Sequence, residues 1–192
     1  MKIEKMYESY LKRHGVTKNP LTKKVDAVFK AFRRAVDKIP EEHINQAIDM
    51  DLSSGDHTQC WMCFEKKHGE FQYALGFALA GKIITGRVDM SDVIAAIKAL
   101  EDFAQKKYHR PIEVDSFDWE ITSLAMELNI LISYTEQEKA DMEQGKLGEN
   151  PSEELERRVK PMVDELADSC YDTFVDADEV NDHIRLGINS CL

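Results

Sequence analysis

The chain has 192 residues and a net charge of −11, with 43% hydrophobic residues, the fraction of a soluble globular protein. That length suits one domain able to bury roughly 70% of its unfolded surface. No run of about 18 apolar residues exists to span a bilayer, the first twenty residues carry charges throughout instead of an apolar signal core, and four cysteines are too few for a disulfide framework. A reduced, cytoplasmic protein is the simplest expectation.

The charge is uneven. Residues 1–40 hold 11 Lys and Arg against 4 Asp and Glu, a balance of +7, whereas residues 113–192 hold 6 against 21, a balance of −15. The chain between is nearly neutral. Such a molecule is dipolar, and the asymmetry bears directly on its partners.

Ile3, Met6, Tyr7, Tyr10 and Leu11 recur at helical spacing, and Gly15 stops that helix. Thr22 is placed to cap a second helix with Val25, Val28, Phe29, Phe32, Val36 and Ile39 inward. Lys23, Lys30, Arg33, Arg34 and Lys38 then form a basic face. Pro40 suits the first turn of a third helix carrying Ile44, Ala47 and Ile48. Ser53 to Asp56 is a loop by composition. The longest nearly uncharged run, Phe71 to Ile84, has small residues at Ala74, Ala78, Gly81 and Thr85, one stripe of a helix. A central buried helix is therefore expected over 71–85. Asp89 or Ser91 opens the next helix, with Val93, Ile94, Ile97, Leu100 and Phe103 inward, and Tyr108 to Pro111 closes it.

Ile112 to Val114 is too short to argue for a sheet. Phe117, Ile121, Leu124, Leu128 and Leu131 follow at helical spacing from Ser116. Thr135 and Glu138 have the spacing of a capping box, and Asn150, Pro151 and Glu153 match a cap, a first-turn proline and a box partner. Val159, Met162, Val163, Leu166, Cys170 and Phe174 mark a last long helix, with Val180, Ile184, Leu186 and Ile188 on a short one after it. The resulting expectation is one all-α domain over 1–192, of about seven or eight helices around the 71–85 helix. Basic helices would occupy 1–40, central helices 41–110 and acidic helices 115–192.

His57, Cys60, Cys63 and His68 are the metal-capable cluster, and Cys-x2-Cys is a common zinc half-site. All four fall in one run of twelve residues, whereas zinc ligands normally come from two elements. Two buried thiols are the plainer account. Glu65-x-x-His68 is half of a di-iron helix motif without a second half. No Gly-rich phosphate loop or nucleophile elbow occurs.

Glu165-Leu-Ala-Asp168 resembles the Glu-x-x-Asp half, and Glu153-Glu-Leu-Glu156 the Glu-x-x-Glu half, of the motif in all-α nucleoside triphosphate pyrophosphohydrolases. The resemblance covers about sixteen residues and implies carboxylates holding Mg2+ against a polyphosphate. Only eight residues separate Glu156 from Glu165, so convergence would need the chain to reverse between them.

The acidic part carries Glu136, Glu138, Asp141, Glu143, Glu149, Glu153, Glu154, Asp164, Asp172, Asp176 and Asp178, read as exterior carboxylates. Spaced carboxylates present a phosphate-like field to a basic protein site, with encounter accelerated by long-range attraction and weakened by salt. The leading expectation is a non-enzymatic binding protein with a basic protein partner. By analogy of charge and size with small acidic inhibitors from phages and mobile elements, it would occupy the nucleic-acid site of a DNA- or RNA-handling protein. No cofactor is needed for this; zinc is the alternative.

Overall fold

The described residues of the run expected to form the central helix lie in strands instead. The computed structural model describes residues 19–54, 61–67, 70–76, 83–120, 126–167, 172–178 and 183–190, in a mixed α/β arrangement. In chain order these are α1 (Pro20–Val36), α2 (Glu41–Ser54), β1 (Trp61–Lys67), β2 (Glu70–Gly76) and β3 (Ile83–Arg87). Then come α3 (Ser91–Tyr108), β4 (Ile112–Glu120), β5 (Met126–Ser133), α4 (Glu136–Glu143), α5 (Pro151–Ala167), β6 (Asp172–Asp178) and β7 (His183–Ser190). The strands make one sheet in the order β3-β2-β1-β4-β5-β7-β6, antiparallel at every junction. The all-α expectation is thus wrong, and Cys63 lies in a strand.

Two sequence features explain the error. Lys67 pairs with Glu70 and Phe64 with Tyr73, so the apolar run opens in an antiparallel pair that a helical reading passes over. A continuous apolar stretch also carries no period of its own, so small residues at helical spacing decided the choice. In β4 the cause is a bulge. Pairing with β5 shifts between Val114 and Ser116, so Ile112 and Val114 before it, and Phe117 and Trp119 after it, are all buried. One extra residue reverses which parity points inward. Ile112, Val114 and Phe117 then lose the strict alternation by which a strand is recognised.

The strands bury Met126, Leu128, Ile130 and Ile132 from β5 and Ile184, Leu186 and Ile188 from β7. Three helices cover this face. α1 contributes Val25, Val28, Phe29, Phe32 and Val36; α3 contributes Val93, Ile97, Leu100 and Ala104; α5 contributes Leu155, Val159, Met162 and Leu166. All belong to one core cluster. Phe32 of α1 stacks on Phe117 of β4 with ring centroids 4.7 Å apart and planes 13° apart. Ile94, expected inward, is 45% exposed, because it lies outside the Val93–Ile97–Leu100–Ala104 stripe.

Polar groups fix how the layers sit. Asn19, not Thr22, caps α1: its Oδ1 accepts from the Thr22 amide and hydroxyl, both at 2.8 Å, while Thr22 is buried inside the helix. The same amide's Nδ2 donates to the Glu165 carbonyl near the end of α5, so one side chain satisfies two helix ends. The expected capping box of Thr135 and Glu138 opens α4. Where β4 extends beyond β1, the Val114 N–H finds the Glu101 carboxylate of α3 at 3.2 Å. No helix among the described residues is long and apolar enough to cross a membrane.

Candidate interaction surface

α5 is amphipathic with two distinct stripes. Leu155, Val159, Met162 and Leu166 lie in the core. Glu153, Glu156, Arg157, Lys160 and Val163 line the flank toward β6, where they and Val175 enclose a groove of about 310 Å3. Arg157 donates to Glu154 through Nε and a terminal nitrogen, both at 2.8 Å, and Lys160 donates to Asp164 at 2.7 Å. Arg158 also reaches Glu154, at 3.0 Å. Hydrogen bonds from Arg157 and then Arg158 hold the Glu154 carboxyl below its ordinary range. These pairs join residues of one helix, so they order the surface locally.

The carboxylates read as exterior divide into distinct groups. Glu138 is 3% exposed and belongs to the interior: Arg110 grips its two oxygens at 2.8 and 2.5 Å, and the Thr135 N–H donates at 2.8 Å. Burial pushes this carboxyl up, but the Arg110 hydrogen bonds and the Thr135 amide outweigh it and leave the group below its usual value. Arg158 approaches the same carboxylate at 3.6 Å. Glu136 faces Lys139 at 3.5 Å, and Asp141 accepts from Gln137 at 2.8 Å with Lys146 at 3.9 Å. Glu143 and Glu149 are exposed, and Glu153 is exposed while accepting from Asn150 at 3.3 Å. Asp172, Asp176 and Asp178 lie in β6, in register with Asn189, Arg185 and His183.

Glu165 is engaged as well, accepting from Lys107 and from the Tyr108 hydroxyl. Burial raises its carboxyl, yet the bonds from Lys107 and Tyr108 hold it below the ordinary range; Tyr108 is pushed far up by burial and by Glu165. Glu153, Glu156 and Glu165 stand on the single helix α5, which makes no reversal between them. Glu156 and Glu165 are then roughly 13 Å apart along the axis at 1.5 Å per residue. They do not converge on one Mg2+, and with the all-α frame gone the pyrophosphohydrolase resemblance falls. Asp168 lies outside the described residues.

So do His57, Cys60 and His68; Cys63 is placed in β1, in register with Ala74 and Asp118. Among the described residues no three His, Cys, Asp or Glu side chains group to hold a metal ion. Lys23, Lys30, Arg33, Arg34 and Lys38 all fall on or just after α1, and Lys38 meets Asp89 at 3.5 Å. Arg33 is half-buried, the other four exposed or nearly so.

One acidic group was not anticipated. On the sheet face opposite the helices, buried Asn129 donates to Asp118 at 3.1 Å and to Ser116 at 3.3 Å. Beside them the Glu127 carboxyl is pushed up, first by burial, with Asp118 adding to the shift against Asn129 and Arg185. The signal for it was present: Met126, Leu128, Ile130 and Ile132 alternate, which leaves Glu127 and Asn129 on the other side.

No family model, curated protein or solved structure matches this chain.

Proposed function

We propose that the protein is a non-enzymatic binding protein whose acidic α5–β6 end docks a basic partner, occupying the nucleic-acid site of a DNA- or RNA-handling protein. One observation carries this reading. Glu153 and Glu156 line the open flank of α5 toward β6, whose backbone carries Asp172, Asp176 and Asp178 in register with Asn189, Arg185 and His183, while Glu154 and Asp164 are paired with Arg157, Arg158 and Lys160 of their own helix. Lys38, from the basic first part of the chain, meets Asp89 instead. Carboxylates held on a helix keep fixed spacing, as a phosphate backbone does, and attract a basic surface over about 10 Å at 0.1 M salt.

Capture from lysate on the immobilised protein, with identification by mass spectrometry, tests this. A basic nucleic-acid-binding protein should be held at 0.1 M salt, released near 0.5 M and displaced by duplex DNA or RNA. A companion that is not basic, or that is held regardless of salt and nucleic acid, would sink the reading.

A further inference from the structure

The flank of α5 toward β6 carries both signs of charge, segregated along the helix axis. Glu153 and Glu156 come first, Arg157 and Lys160 follow, and Val163 with Val175 gives the groove an apolar floor. Glu156 is the odd member. It is half-buried, yet no hydrogen bond or ion pair reaches its carboxylate among the described residues, whereas Glu154 nearby takes two arginines. A partly desolvated carboxylate favours a cationic partner. The cations, for their part, keep donors to spare. Arg157 gives Nε and one terminal nitrogen to Glu154, which leaves the other terminal nitrogen, and Lys160 gives one of its three ammonium protons to Asp164. A ligand of one sign would be attracted by half of this lining and repelled by the other half. A ligand carrying both signs in the complementary order is attracted by all of it.

Span decides the class of ligand. The midpoints of the acidic pair and the basic pair lie four residues apart on α5, roughly 6 Å at 1.5 Å per residue. A single α-amino acid holds its ammonium and carboxylate too close together to reach both pairs. Two residues of extended peptide span roughly 7 Å. The groove, at about 310 Å3, is near the lower limit of small-molecule sites and takes little more than that. We propose that the α5–β6 groove binds a dipeptide with a small apolar C-terminal side chain. Its ammonium meets Glu153 and Glu156, its carboxylate meets Arg157 and Lys160, and its C-terminal side chain lies over Val163 and Val175. The inference is independent of the acidic-surface reading, since it needs the cations of α5 as much as its acids.

The probe is alanylvaline, titrated into the full chain by calorimetry, with backbone amide shifts locating the contact on α5 and β6. A Kd of about 1 mM or tighter is expected. N-acetylation of the dipeptide, its C-terminal amidation, or its replacement by free valine should each weaken binding about tenfold or more. Glu156→Gln should weaken it about tenfold and Lys160→Met about fivefold, while Asp92→Asn on α3 should leave it within about twofold. Lys160→Met also separates this site from an acidic docking surface, because removing a cation should not weaken a basic partner. No binding at about 10 mM, shifts confined to residues outside the groove, or indifference to amidation would overturn the proposal.

Discussion

Glu138 and Glu156 are the same residue type, eighteen positions apart in one acidic stretch, yet they do opposite work. Glu138, in the first turn of α4, lies in the interior with both oxygens on Arg110 and a backbone N–H from Thr135. Glu156, on α5, lines an open groove beside an edge strand. A carboxylate is drawn inside where a bidentate arginine and an unsatisfied helix-end amide are both on offer. Where neither is, it stays at the surface and contributes to the field a partner meets. Counting acids therefore overstates the charge that a proposed partner would meet.

The largest test of that contrast is deletion. Glu138→Ala leaves Arg110 buried without its counter-ion and should cost about 3–5 kcal/mol in urea unfolding, whereas Glu156→Ala should stay within about 0.5 kcal/mol. Equal costs would erase the distinction. Acid provides the next largest effect. The folded pKa of Glu138 lies below its ordinary value of 4.5, so its stabilisation is complete above that value and lost as pH falls through the depressed one. Glu165 behaves alike. Urea midpoints measured between pH 7 and 3 should therefore drop below about pH 4.5, and Glu138→Gln should flatten the drop. A smaller effect separates the two functions of Glu138. Thr135→Ala removes the cap hydroxyl but keeps the Arg110 pair, and should cost about 1 kcal/mol. A loss as large as that of Glu138→Ala would mean that the cap, not the ion pair, holds α4.

Much of the helical layer was legible before any coordinates. In α1, α3 and α5 a single buried stripe recurs at helical spacing, and Thr135 with Glu138 announced α4 by a local motif. The sheet was not legible, for reasons specific to its residues. The β4 bulge switches inward parity between Val114 and Ser116, and β2 holds Ala74, a small residue whose spacing from Thr85 and others also fits a helix. The site divides in the same way. The surplus of acid in the last eighty residues needs only the sequence. Withdrawal of Glu138 depends on Arg110, 28 residues away, and the appearance of Asp118, Glu127 and Asn129 on one face depends on the strands being strands.

The most direct measurement compares charge reversal at the two places. Asp172→Lys with Asp176→Lys in β6, and Glu136→Lys with Glu143→Lys in exposed positions of α4, change net charge equally. Binding to the basic partner at 0.1 M salt should be lost with the β6 pair and largely kept with the α4 pair. If both pairs weaken binding alike, net charge alone governs the contact and no particular end of the molecule is the docking surface.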